Sequence, residues 1–291
     1  MHATRGEKVF HVINVLFMVV LILVFFLPYW VIFAASFTDE ITLLKNGFAI
    51  FPQKLSLDAY RFIFQNDNRI LKSVGNSVFI TVVGTLGSVA VSSMMAYPLS
   101  KKKLSGNRGF NFFIVFTMMF SGGLVPFYLV VTGLGMYNSL AALIVPGLVS
   151  VWNVILLRNF FAGIPSALEE AAAIDGASHF QRFTRVVLPM SKPILATVAL
   201  FSAVGYWNDW YMAMLFIEDK NKIPVQSLIR EMLSSFDTML EQSGAVSSGA
   251  VAPQESVKMA AVIVASLPII LLYPFMQKYF IQGIILGSVK E

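Results

Sequence analysis

The chain has no cysteine. That excludes a disulfide framework and any thiolate metal or redox site, and it leaves the compartment unreadable from redox chemistry. Charge is scarce too: Asp, Glu, Lys and Arg make up 13% of 291 residues, about half the share a soluble domain carries. His2, His11 and His179 are the only histidines, and they lie too far apart for metal-ligand spacing. No G-x-x-x-x-G-K-[ST] phosphate loop occurs, so the chain cannot hydrolyse ATP by that route. No Ser, His and Asp arrangement offers a base beside a nucleophile. Basic patches interleaved with aromatics are missing, so nothing points to a nucleic acid. Apolar residues, by contrast, reach 57% and the mean hydropathy is +0.73. The composition is that of a polytopic membrane protein, and a net charge of +5 suits a border with an anionic leaflet.

A span needs about 20 apolar residues. Six such runs are present, at 9–37, 73–99, 110–132, 138–157, 193–217 and 257–277. No charge occurs from Gly109 to Leu157, too long for one helix; Gly133, Gly135 and Asn138-Ser139 predict a tight hairpin there. Arg5 and Lys8 before the first run, and Ala34-Ala35-Ser36 at its end, have the look of a signal peptide. The apolar run is nevertheless about twice a signal h-region, which favours a retained span.

Six spans put both termini on one side. The loop "SKKKLSGNR" at 100–108 has four basic residues and no acid, so the positive-inside rule makes it cytoplasmic. The N-terminus, the 158–192 loop and the C-terminal tail follow it. These segments hold 12 Lys and Arg against 5 Asp and Glu, while the outward ones, counted through Lys258, hold 9 against 10. The loops 38–72 and 218–256 then face outward. Val225, Leu228, Ile229, Met232, Leu233, Phe236, Met239 and Leu240 fall at helical spacing, which predicts an amphipathic helix with Pro224 in its first turn. The stretch 244–254 reads as a flexible connector. In the first outer loop, Ser56 is placed to cap a short helix turning Leu57, Tyr60 and Phe64 inward. Both helices fit either a membrane-surface position or a docking surface for an extracytoplasmic partner.

The cytoplasmic segment "EEAAAIDGASHFQRFTRVVLPMSKP", residues 169–193, is unlike its apolar flanks. Ser166 can cap a helix over Leu168–Ala173, with Glu169 and Glu170 at its dipole-favoured start. Gly176 can take the left-handed turn that ends it. Phe180, Phe183, Val186 and Val187 mark a second short amphipathic helix, which Leu188-Pro189 stops. This predicts a compact knob, with small Ala171–Ala173 allowing close approach and Glu169, Glu170 and Asp175 offering charge. Glu170-Ala171-Ala172, Gly176, nine residues, Val186, one residue, then Leu188-Pro189 resembles the EAA loop of binding-protein-dependent ABC importer permeases, with Val for the usual Ile. "PFYLVVTGLGMYNS", "YWNDWYMAM" and "YPFMQKYFIQGIILGSVKE" extend the resemblance over nearly the whole chain, to the carbohydrate-uptake, maltose-permease-like branch and its lipoprotein-associated oligosaccharide subgroup.

That resemblance implies an all-α, six-span, MetI-like permease fold forming a single transmembrane domain. Its EAA loop, 165–192, would be a coupling helix pair seated in a cytoplasmic ATPase through Glu169, Glu170, Ala171, Ala172, Asp175, Gly176, Val186, Leu188 and Pro189. It further implies a second homologous permease, an extracytoplasmic sugar-binding lipoprotein, a carbohydrate cargo and a bacterial plasma-membrane location with cytoplasmic termini. ATP and Mg would be bound by the partner ATPase, no cofactor would be bound by this chain, and the tail Gly287–Glu291 would reach between the ATPase subunits.

Trp207, Asn208, Asp209, Trp210 and Tyr211 sit in the fifth span. With the span centred near Gly205, Asp209 lies on the order of 6 Å outside the midplane, where an acid costs up to about 3 kcal/mol unless it faces protein or water. The cluster fits a sugar path, with aromatic faces for pyranose rings and polar groups for hydroxyls; it equally fits a polar brace between helices. Gly84 and Ser88 in the second span form a small-xxx-small pair that favours close helix packing. A secondary transporter or channel would show internal repeats and polar residues in several broken helices, and a membrane enzyme would show a catalytic constellation. Neither pattern is seen.

Overall fold

The structure, a computed structural model, describes residues 5–66, 68–242 and 255–288. The connector at 244–254 and the last residues of the tail Gly287–Glu291 lie outside the described residues. Among those described, every element is helical except one isolated antiparallel bridge between Thr38 and Leu55. Hydrocarbon demands this, since each backbone polar group there must be paired within its own segment.

The first and second spans are the long helices Arg5–Ser36 and Asn68–Leu99. The fourth runs Ala141–Ala162 rather than 138–157, through a 3-10 turn at Pro146–Leu148. Asn138 takes a φ of 52° at the hairpin corner, and Phe160 and Phe161 carry the helix beyond Arg158. The third span is not one rod. Helices Asn107–Met119 and Leu124–Gly133 meet at 112°, because Phe120 is extended and Gly123 has a φ of 88°. Such a break at Ser121-Gly122-Gly123 divides the expected 110–132. The fifth is interrupted as well: Lys192–Asn208 and Tyr211–Phe216 are separate helices, parted at Asp209, whose ψ is 88°. The last helix, Glu255–Ser288, has 34 residues, ample for a span. Before that last helix, Phe10–Ser36, Arg69–Leu99 and Ala141–Ala162 can each cross a membrane by length and apolar composition alone, and the bent pairs Asn107–Met119 with Leu124–Gly133 and His179–Met190 with Lys192–Asn208, each counted once, bring the number to five.

The chain falls into two compact units, 1–70 with 229–267 and 71–228 with 268–291. In the first unit, the Tyr29 and Ser266 hydroxyls lie 3.0 Å apart. The buried carboxylate of Glu40 accepts from the backbone N–H groups of Glu255 and Ser256, both at 2.9 Å, and from the Ser256 hydroxyl at 2.7 Å. An anion thus sits on the orphan donors at the start of the last helix. Ser56 does accept from the Asp58 N–H, at 3.0 Å, but the inward face of its helix differs from expectation. Leu57 and Phe64 are exposed, and Ala59 and Ile63, four residues apart, are buried. The helix passes into a π turn at Phe62–Asn66, which shifts the later side chains round the axis.

The second unit holds the main core. Ala96, Leu99, Val154, Leu157, Phe161 and Val198 join the second, fourth and fifth spans, and Phe183 and Val187 of the 165–192 segment complete the cluster. A further cluster joins Ile80, Leu143, Ile144, Ala213 and Ile217. Glycine makes a tight crossing possible. A Cβ on Gly84 would lie 2.6 Å from the Tyr206 ring, and one on Gly147 would lie 2.7 Å from the Tyr206 hydroxyl. That hydroxyl donates to the Ile144 carbonyl at 2.9 Å.

Candidate functional site

The segment 165–192 folds as a helix, a tight turn and a second helix. Leu, Glu and Ala, all strong helix formers, give Ser166–Ile174. Ser166 is its first residue and not its cap: Pro165 holds the cap position, and no side chain caps the end. The turn follows the sequence closely. Gly176 has a φ of 80°, Ala177 N–H donates to the Ala172 carbonyl at 2.9 Å and Gly176 N–H to Ala173 at 3.1 Å. These are the two bonds of a Schellman motif. Ser178 and Gln181 form a capping box for His179–Arg182, which runs on as a π turn at Phe183–Val187.

Burial divides the knob into a root and a tip. At the root, Phe183 and Val187 are buried, Leu188 packs against the same core, Val186 is half-buried and Pro189 is exposed. At the tip, Ile174 is 87% exposed and Phe180 66%, with Glu170, Ala171, Asp175 and Gly176 exposed and Ala172 half-buried. Two large apolar side chains held clear of any core, beside three small or glycine positions, make a surface suited to another protein. Glu169 departs from the expectation of a charge offered outward. It is buried, paired with the Lys101 ammonium, and accepts from the Tyr97 hydroxyl at 2.9 Å. Lys101, in the basic loop after the second span, carried no signal of this pairing in sequence.

The five residues of the fifth span do not form one face. Trp207 is 3% exposed and belongs to the interior. Asn208 is exposed and ends its helix. Asp209 accepts from the Met212 N–H at 3.1 Å, capping the helix that follows. Trp210 is half-buried, its carbonyl accepting from the Ser227 hydroxyl at 3.1 Å, and its ring meets Tyr211 edge-on at 5.6 Å. The bond that Asp209 makes here is this local cap, while Asn208, Trp210 and Tyr211 are accessible enough to meet a solute. The second span's small residues pack, as the Gly84–Ser88 spacing predicts. Besides the Gly84 contact, Ser202 donates to Ser88 at 3.3 Å and accepts from the Asn153 amide at 3.1 Å.

The expected amphipathic helix is present as Val225–Gln242. Pro224 precedes it and is not in its first turn; the Pro224 carbonyl accepts from Leu228 N–H at 3.1 Å. Val225 and Leu228 are buried, and the Val225 N–H donates to the Ser77 hydroxyl at 2.8 Å. The loop before it is stapled from two directions. Asn76 donates to the Asn221 carbonyl at 2.8 Å, and the Asn138 side-chain oxygen accepts from Glu218 and Asp219 N–H at 3.2 and 2.9 Å. Tyr137 donates to Glu218 at 2.7 Å, a bond that pushes its phenol up to about 12. Asn76 and Asn138 are positions that hydropathy and periodicity do not reveal.

Residues 88–286 match the family described as binding-protein-dependent transport system inner membrane component. Protein LplC of Bacillus subtilis (strain 168) is 42% identical over 290 residues, covering 100% of this chain and 98% of that one. The polygalacturonan/rhamnogalacturonan transport system permease protein YtcP of the same organism is 44% identical over 274 residues, 94% of this chain and 96% of that one. Among solved structures, a chain of a bacterial ABC transporter involved in the import of the acidic polysaccharide alginate superposes with a TM-score of 0.84 at 30% identity, covering 96% of this chain and 99% of that one.

Proposed function

From the premise that this chain belongs to the family of inner membrane components of binding-protein-dependent transport systems, and so is the non-catalytic permease of an ABC importer, we propose its cargo, partners and coupling surface. The cargo is an oligosaccharide delivered by an extracytoplasmic sugar-binding lipoprotein; polymer-derived sugars named for two relatives support that class. A second homologous permease completes the path, and a separate cytoplasmic ATPase binds ATP and Mg and supplies the work. The chain itself carries no cofactor. It sits in a bacterial plasma membrane with both termini cytoplasmic, an orientation supported by the basic loop at 100–108.

The single observation behind the coupling assignment is the knob's tip. Ile174 and Phe180, 87% and 66% exposed, project from a turn fixed by Gly176, while Phe183 and Val187 root the same loop in the core. A partner covering this tip would bury apolar side chains at about 25 cal/mol per Å², with Glu170 and Asp175 free to meet its basic residues. The root then passes the partner's movement to the fourth and fifth spans, which flank the loop. Asn208, Trp210 and Tyr211 are the proposed solute contacts of the fifth span.

The test is retention of the ATPase on purification. Glu170→Lys puts like charges into the contact, where losing one partner of a close charge pair costs about 2–5 kcal/mol. Gly176→Val opposes the left-handed turn with a β-branched side chain. Both variants are expected at normal membrane levels, with the ATPase lost from the purified complex and transport abolished. Wild-type retention by both would refute the coupling assignment.

A further inference from the structure

We infer that Tyr97, Lys101 and Glu169 form a clasp that carries movement of the coupling loop directly into the second span, as positioning residues for transport. The inference rests on the assignment of 165–192 as that loop.

Glu169 lies in the first turn of Ser166–Ile174, beside Glu170 at the exposed tip, yet it is only 7% exposed. One carboxylate oxygen takes the Lys101 ammonium; the other accepts from the Tyr97 hydroxyl at 2.9 Å. The Lys101 nitrogen also stands 4.7 Å from the centroid of the Tyr97 ring, a cation–π contact. That ring packs 5.1 Å from the ring of Phe183, in the loop's second helix. Both halves of the knob are thus gripped by the inner end of the second span. An exposed ion pair would contribute little. Here the carboxylate is desolvated, so separating it from its partners leaves a buried charge uncompensated.

The consequence is mechanical. The peptide chain ties the loop only to the fourth and fifth spans. The clasp adds a polar tie to the second, whose Ala96 and Leu99 share a core with Phe183 and Val187 and which meets the fifth again higher up at Gly84 and Tyr206. The loop cannot tilt without breaking three contacts together or drawing the second span with it.

Because the chain has no cysteine, a single reporter placed in it carries the only thiol of this subunit, and its labelling is read on this subunit's own band. Gly75→Cys near the outer end of the second span has open space around it, and Met214→Cys in the second helix of the fifth is 58% exposed. In the full importer complex, maleimide labelling of each is followed without nucleotide and after trapping with ATP and vanadate. Both reporters are expected to change rate in the otherwise wild-type chain. In Glu169→Gln and in Lys101→Met, the change at Gly75→Cys should shrink about tenfold, in line with coupling between contacting residues, while that at Met214→Cys persists. The charge-swapped pair Lys101→Glu with Glu169→Lys should recover the response at Gly75→Cys. An undiminished Gly75→Cys response in both single variants, or none in the swap, overturns the clasp. Equal loss at both reporters also overturns it, since Glu169 would then act on ATPase docking. Silence of both reporters in the wild type would instead refute the coupling assignment beneath it.

Discussion

Gly84→Ala adds a single methyl group at a tight crossing in the second unit. The new Cβ would stand 2.6 Å from two carbons of the Tyr206 ring, about an ångström inside normal carbon contact. The ring has no retreat. Gly147 backs it on the other side, and the hydroxyl is held by the Ile144 carbonyl at 2.9 Å. Overpacking of this kind costs about 1–3 kcal/mol, and a displaced hydroxyl would lose a bond contributing about 1 kcal/mol. Alanine's helix preference over glycine returns about 1 kcal/mol. The net destabilisation is about 1–3 kcal/mol, read as a fall of a few degrees in the thermal midpoint of the detergent-solubilised protein. Gly75→Ala is the matched control: it lies in the same helix with nothing within 4 Å, so its midpoint should hold or rise. Tyr206→Leu should be less damaging in the Gly84→Ala background than alone, since it relieves the clash. Identical melting of Gly84→Ala and Gly75→Ala would refute the close approach.

Two further outcomes follow from the caps. Glu40→Ala removes the acceptor of three hydrogen bonds at the start of the last helix, each contributing about 1.5–3 kcal/mol when one partner is charged, and should lower the thermal midpoint more than Glu40→Gln; an unchanged midpoint would deny the cap its role. Asp209→Leu should destabilise by about 1 kcal/mol, as cap removal does, whereas Asp209→Asn keeps an acceptor for Met212 N–H and should melt near wild type; if Asp209→Asn melts normally yet loses sugar uptake, the charge itself serves the path.

Legibility in sequence tracked how local each signal is. The helix, glycine turn and second helix of 165–192 depend on residues within a few positions of one another, and their order was readable, although the equally local Ser178–Gln181 capping box was not anticipated. Span positions followed from apolar runs, but the breaks at Gly123 and Asp209 did not: an uncharged run looks the same whether its helix is straight or bent. Ser166 illustrates the limit of capping rules, since a preceding proline took the cap position. Pairings across long separations were invisible. Nothing near Glu169 marks it as the partner of Lys101 and Tyr97, and its neighbour Glu170 has the same local surroundings but points the other way. In the fifth span, one polar and aromatic cluster proved to contain an interior tryptophan, a cap and three accessible residues, because a helix break reorients side chains that a continuous helix would group.

Glu40 also has a bearing on how the protein is made. Its acceptors' partners, Glu255 and Ser256, follow it by 215 and 216 residues, so nearly the entire chain leaves the ribosome before the carboxylate can meet them. Synthesis at about 5–20 residues per second separates the two by roughly ten seconds or more. Throughout that interval the Glu40 carboxylate lacks these donors, and the first unit is completed only when the start of the last helix arrives.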